Sequence, residues 1–299
     1  MKTSSVSIPA FNPVSLDSTA RARFAHILFP TDFSPAAERA LPYALEIARR
    51  YHATIHVANI RNQSGMYAAV PPEAWAQLEK LEAESRREYQ RHLEQELIGT
   101  SHEILFGSGE IWSALSEIIN SKKIDLIVLA THGPLPLERA VLGSVAEEVF
   151  RRAPCPVLTV GPSAPNKPKP LGEFSSILYA TDFSAESLAG APYAISLARE
   201  HRAQLILMHS RQNSEDLHKL RRALAEIVPF GAELPSSPDC VVERGRPAEK
   251  ILEVAEAHEA DLIVLGVRAA KNIALSRFVQ RGSYYVVANA KCPVLTVRS

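Results

Sequence analysis

Apolar positions along the chain switch between two periods. His26-Ile27-Leu28-Phe29-Pro30 is a short apolar run of the kind that fills a strand buried on both faces. A helix is predicted to follow, with Ser34 as N-cap and Pro35 at its first position. Leu41, Ala44, Leu45 and Ala48 fall at i, i+3, i+4 and i+7, so one face of that helix packs on a sheet. Thr54 to Ile60 reads as a second strand. A long charged helix from about Glu73 to Leu97 carries Trp75, Leu78, Leu81, Tyr89 and Leu93. His102 to Phe106 then predicts a third strand, Ile111 to Asn120 a third helix and Asp125 to Leu129 a fourth strand. Val145 to Arg152 predicts a fourth helix and Pro156 to Val160 a fifth strand. Strands alternating with helices imply a parallel sheet with right-handed crossovers.

The pattern then runs a second time. Ile177-Leu178-Tyr179-Ala180-Thr181-Asp182-Phe183-Ser184 echoes Ile27 to Ser34 at an offset of 150, Thr31 answering to Thr181. Asp261 to Leu265 repeats Asp125 to Leu129 residue for residue at an offset of 136, and Cys292 to Val297 repeats Cys155 to Val160 at 137. The smaller offset places a deletion of about 14 residues between the second and third strands of the later copy. The long charged helix is there cut to a short one near Glu215 to Ile227. The organisation expected is a loose Ser/Thr/Pro-rich arm over 1–23, one domain over 24–161, a stiff Pro-rich linker over 162–173 and a second domain over 174–299. The closing strands, Pro156–Val160 and Pro293–Val297, are apolar and at the presumed sheet edges. They are candidates to meet and close those edges as an intramolecular pseudo-dimer.

Composition narrows the function. Lys plus Arg and Asp plus Glu number 33 each, so no global field draws in nucleic acid or an anionic membrane. Cys155, Cys240 and Cys292 are odd in number and outside any metal-binding spacing, which argues against a disulfide framework and a zinc site and fits a reducing cytoplasm. No apolar run approaches the ~20 residues of a membrane span. There is no Gly-x-x-x-x-Gly-Lys-Ser/Thr loop, no Gly-x-Ser-x-Gly elbow and no Ser-Gly-Gly-x-Asp loop. Gly107-Ser108-Gly109 begins a dinucleotide fingerprint that fails at Trp112. The residues favour binding over catalysis, and none is assigned a catalytic role.

The chemistry worth following lies after the fourth strand. Leu126-Ile127-Val128-Leu129 runs out into Ala130-Thr131-His132-Gly133, and Gly143-Ser144 opens the next helix. Glycines let backbone N–H groups approach an anion, and the first N–H groups of a helix lack internal partners. Turn residues without a ligand fit the same pattern.

Thr-Asp-Phe-Ser after the first strand, Thr-His-Gly after the fourth, nine residues, Gly-Ser-Val and a closing Cys-Pro-Val-Leu-Thr-Val together resemble the universal stress protein family, in both halves from about residue 24 to 298. The resemblance implies two flavodoxin-like α/β domains, each a five-stranded parallel sheet of order 3-2-1-4-5 with helices on both faces. It also implies ATP, or ADP or AMP, at the carboxyl ends of strands one and four. The nucleotide motif of the ATP-binding branch is Gly, two residues, Gly, nine residues, Gly, then Ser or Thr. Here that is Ala130, Thr131-His132, Gly133, Pro134 to Leu142, Gly143, Ser144. Beside the Pro-x-Asp of Pro30-Thr31-Asp32, the resemblance implies adenine and ribose contacts from Thr31, Asp32 and Ile60. Ribose and phosphate contacts are implied from Leu129, Ala130, Thr131, His132 and Gly133 and from Gly143, Ser144 and Val145. Asp32 is expected to hold a ribose hydroxyl or a nucleotide-bound magnesium, or to close an Asx turn ahead of Ser34. His132 can simply brace the loop. Ala130 adds a methyl where the motif has its first glycine, and Pro134 and Pro136 each remove a donor.

The later copy departs further. It keeps Gly266, but Ala269 replaces the second glycine and Gln280 the third, with Gly282-Ser283 two positions out of register. The expectation is a second half without a phosphate cradle, its loop carrying Arg268, Lys271, Arg277 and Arg281 as a solvated surface, a docking face or another anion site. The chain is thus expected to be a cytoplasmic stress-response protein that binds an adenine nucleotide in its first half and acts through conformation or an unidentified protein partner, with homodimerisation possible. The alternatives are a nucleotide-free interaction scaffold and a slow ATP hydrolase.

Overall fold

The computed structural model describes residues 22–61, 71, 74–131, 142–165, 173–211, 216–268 and 281–298. Ten strands form one sheet in the order β3-β2-β1-β4-β5-β10-β9-β6-β7-β8. In the first half β1 is His26–Pro30, β2 Thr54–Arg61, β3 His102–Ser108, β4 Leu126–Ala130 and β5 Val157–Val160. In the second half β6 is Ser176–Ala180, β7 Gln204–Arg211, β8 Asp239–Arg244, β9 Leu262–Val267 and β10 Val294–Arg298. Each half has the expected order 3-2-1-4-5, and every pairing within a half is parallel.

The halves join where β5 meets β10, antiparallel. The register is Val157↔Thr296, Leu158↔Leu295 and Thr159↔Val294. At the offset of 137 Leu158 and Leu295 are equivalent and the two flanking pairs exchange places, so a pseudo-twofold axis passes between Leu158 and Leu295. Thr159 Oγ1 donates to the Val294 carbonyl at 3.1 Å and Thr296 Oγ1 to the Val157 carbonyl at 3.3 Å, satisfying buried hydroxyls on both sides of the axis.

Successive residues of β1 feed opposite faces, as the pleat requires. Ile27 and Phe29 join α2 (Leu41–Tyr51) and α3 (Trp75–Glu96), while Leu28 joins α4 (Ile111–Ser121) and α5 (Ser144–Arg152). Both cores continue across the seam onto the second half, whose α7 (Ala191–His201) and α8 (Leu217–Ala225) lie on one face and α9 (Pro247–Ala257) and α10 (Arg281–Asn289) on the other. Alternation of this kind gives a three-layer structure with a doubly covered sheet.

Three local expectations change. The helix predicted after Ser34 is two, α1 (Pro35–Glu38) and α2, because Pro42 has no N–H to continue the ladder. Pro192 divides α6 (Ala185–Leu188) from α7 in the same way. The start of the linker is docked rather than extended: Ala164 is buried, the Arg39 guanidinium donates to the Pro162 and Ala164 carbonyls, and the Tyr43 hydroxyl donates to the Pro165 carbonyl at 2.8 Å. The end of the N-terminal arm is also docked, Ala22 N–H donating to Ser196 Oγ of the other half at 2.6 Å.

Candidate functional site

A cleft opens at the carboxyl ends of β1 and β4, where the strand order reverses and the outgoing loops part. Its volume is about 170 Å³. Pro30, Thr31, Asp32, Ile60, Leu129, Ala130, Gly143, Ser144 and Val145 all line it, so nine of the twelve residues singled out in the sequence come together. Thr131 stands behind the wall, fully buried, its carbonyl accepting the Gly143 N–H at 2.7 Å. His132 and Gly133 lie outside the described residues, with Pro134, Pro136 and Arg139.

The wall after β1 is a tight turn fixed on every side. Thr31 N–H donates to the Ala58 carbonyl at 2.9 Å, and the Asn59 amide donates to the Thr31 carbonyl at 2.9 Å. Asp32 Oδ1 accepts the Ser34 N–H at 2.9 Å and Ser34 Oγ accepts the Ala37 N–H at 3.2 Å, an Asx turn feeding an N-cap. The turn does not remove Asp32 from the site, because its exposed carboxylate still faces the cleft. Phe33, held at φ 65° by this turn, stacks on Tyr89 of α3 with ring centroids 3.9 Å apart. The long helix thereby backs the turn from the opposite face of the sheet.

The opposite wall is the first turn of α5. No side chain caps this helix at Gly143, whose own N–H is spent on Thr131. Ser144 and Val145 at its start line the cleft, where first-turn amides and the positive end of the helix dipole favour an anion. The neighbouring α4 differs, since the Glu110 carboxylate caps it by accepting N–H from Trp112 and Ser113 at 3.0 and 2.6 Å. Among the described residues, one helix start facing the cleft is closed by an acid and the other takes no side-chain cap.

Sequence reasoning missed Ala37, Ala58, Ile111, Leu115 and Ala146, which complete the lining. Ile111 and Leu115 are spaced i, i+4 at the start of α4, a signal present in the sequence but indistinguishable there from core packing. Gly107 also gains a reason. A Cβ there would lie 2.7 Å from Ile60 Cδ1, so the glycine opposite Ile60 makes room for that side chain.

The second half has a cleft at the equivalent place, with a volume of about 410 Å³. Ser210 stands where the first half has Ile60, and Glu243 replaces the glycine opposite it. Gly282 occupies the position of Val145 in the helix start. The loss of those two branched side chains widens the space. Burial alone would raise the Asp182 carboxyl, but hydrogen bonds from the Ser184 hydroxyl and N–H and from Ser187 outweigh it and hold the group below its ordinary value. Arg268 pairs with Glu186 at 3.1 Å. Gly266, the one motif glycine this half retains, is required by packing, because a Cβ there would sit 2.2 Å from the Glu186 carbonyl oxygen and 2.4 Å from that of Ser187. Ala269, Lys271, Arg277 and Gln280 lie outside the described residues.

Other chemistries find little here. Burial pushes the Cys155 and Cys292 thiols up to about 12, so neither is a ready nucleophile. Among the described residues no group of His, Cys, Asp or Glu is arranged to hold a metal, and no helix is long and apolar enough to cross a membrane.

Fold and site together define a class: a duplicated flavodoxin-like α/β protein, fused through its closing strands, with a cleft at the switch point of each half. The family model described as the universal stress protein family matches residues 23–161 and again 173–298, and the chain belongs to that stress-response family. A universal stress protein of Thermus aquaticus is 36% identical over 137 residues, 42% of this chain and 99% of the relative. One from Methanocaldococcus jannaschii is 32% identical over 136 residues, 45% of this chain and 80% of the relative. Over the whole architecture, the crystal structure of a universal stress protein from Archaeoglobus fulgidus is similar at a TM-score of 0.72 and 22% identity, covering 91% of this chain and 98% of that one.

Proposed function

We propose that this chain is a cytoplasmic protein that binds an adenine nucleotide, ATP first among them, in the cleft of its first half and acts through conformation or a protein partner rather than turnover. The observation that carries the reading is the start of α5, without a side-chain cap among the described residues, facing a cleft whose other wall presents Asp32. That is the arrangement the intact motif spacing from Ala130 to Ser144 leads one to expect. In this reading Pro30, Thr31, Asp32 and Ile60 hold the adenosine, Asp32 taking a ribose hydroxyl or a magnesium ion. Residues 129–133 with Gly143, Ser144 and Val145 take ribose and phosphates.

Mass spectrometry of small molecules released on denaturing the purified, undialysed protein tests the ligand without a prior guess. Equilibrium dialysis with labelled ATP tests the place, with loss of binding expected in Gly143→Val. Failure to bind at millimolar nucleotide leaves the scaffold reading, and steady phosphate release abolished by Gly143→Val supports the hydrolase.

The size of the second cleft favours one further reading, in which both halves take a ligand. Ligand pockets commonly span about 300–1,000 Å³; the second cleft falls inside that range and the first below it. A stoichiometry of two, reduced to one by Gly282→Val, is its signature.

A further inference from the structure

The seam between the halves holds a histidine with no counterpart across the pseudo-twofold axis. At the end of α7, His201 occupies the position that Tyr51 occupies at the end of α2. Each ring packs on a phenylalanine, Phe24 against Tyr51 at 5.0 Å and Phe174 against His201 at 4.7 Å between centroids. Both rings line one apolar cavity of about 20 Å³, walled by Leu158 and Leu295, the pair on the axis. Residues of both halves therefore enclose it.

The two rings differ in how they are satisfied. Tyr51 donates its hydroxyl to Glu200 Oε2 at 2.7 Å. His201 accepts the Phe174 N–H on Nδ1 at 3.3 Å, which places the single proton of the neutral ring on Nε2. That Nε2 is buried without a hydrogen-bond partner, and the residue is only 9% exposed.

We propose that His201 makes the seam acid-sensitive: taking up a proton on its imidazole loosens the contact between the two halves. A proton on Nδ1 turns the acceptor of the Phe174 N–H into a second donor aimed at it. The charged and titratable groups around the ring offer no ready relief. Arg50 of α2 is itself a cation, donating to the Glu200 carbonyl at 2.5 Å. Both oxygens of the Glu200 carboxylate are engaged, one by Tyr51 and the other by the Ser196 hydroxyl at 2.9 Å. Tyr51 stays neutral, its pKa raised by burial and then by the bond to Glu200. Burial first, and Arg50 second, push the imidazole pKa down to about 3 in the closed form.

An exposed imidazole takes its proton near the ordinary value of about 6.5. Protons therefore bind the opened form more strongly, and the closed form loses ground as the pH falls from about 6.5 towards 3. One proton gives a tenfold change per pH unit in that window, or about thirty-fold between neutral pH and pH 5.

The test is amide hydrogen exchange on the full chain at pH 7.5 and 5.0, corrected for intrinsic exchange, read at Val157–Val160 and Val294–Val297. The wild type is expected to show the thirty-fold rise in opening. His201→Gln, which keeps an acceptor for Phe174, and His201→Phe, which fills the cavity, are expected to lack it. The same rise in either folded variant overturns the proposal. An NMR titration of the wild-type ring needs no variant: an imidazole still neutral at pH 5 in the closed form supports the proposal, and a midpoint near 6.5 without change in the seam overturns it.

Discussion

Single residues set the two clefts apart. Gly107 and Gly266 both lie where a methyl would collide, but with different neighbours. At Gly107 the obstacle is the terminal methyl of Ile60, which can turn away, so Gly107→Ala is expected to cost under about 1 kcal/mol. At Gly266 the obstacle is the backbone of α6, and Gly266→Ala is expected to destabilise by about 1–3 kcal/mol. Urea denaturation of the two variants reads the difference, and equal losses would contradict it. For the ligand, Asp32→Asn keeps the acceptor that receives the Ser34 N–H but removes the charge. We expect nucleotide affinity to fall about tenfold, the worth of one charge-assisted hydrogen bond of ~1.5 kcal/mol, with the melting temperature of the free protein unchanged. Calorimetric titration checks the affinity.

At the scale of elements, the sheet was legible because its strands are short apolar runs and its helices periodic, and because two copies gave the same reading twice. The break between α1 and α2 was written in Pro42 but hidden by an apolar spacing that runs on past it. Most of the cleft was legible through the motif, which marks loops and helix starts by their glycines and polar residues. Ala37, Ala58, Ile111, Leu115 and Ala146 were not, because an apolar residue that lines a cleft and one that fills a core obey the same period. The width of the second cleft was hidden too, since Ser210 and Gly282, far apart in the sequence, come to line one cleft only after folding. In the proposed reading the start of α5 is the element on which binding turns. A carboxylate placed there, as in Ser144→Asp at the first helical position, complements the positive end of the helix and repels phosphate together. It is expected to leave the fold as stable as before, or more so, while nucleotide binding falls at least tenfold, which thermal denaturation and dialysis measure in parallel.

The whole molecule follows from the β5–β10 seam, a self-complementary contact made once within one chain. The pairing is symmetric about Leu158 and Leu295, so β5 carries the information to pair with another β5. A chain of residues 22–165 alone exposes that apolar edge, and it is expected to sediment as a homodimer centred on Leu158. A monomeric half would mean that α2 and α7, rather than the strands, hold the seam. The two clefts of the chain differ: the first half keeps the motif spacing and, among the described residues, a helix start without a side-chain cap, whereas of the motif glycines the second keeps only the one that packing requires. The measurement that bears most directly on this account is ATP binding by calorimetry to the wild type, Gly143→Val and Gly282→Val. The account predicts binding that Gly143→Val abolishes and Gly282→Val leaves in place at the first cleft. Binding indifferent to Gly143→Val but lost in Gly282→Val, or none at millimolar nucleotide, would contradict it.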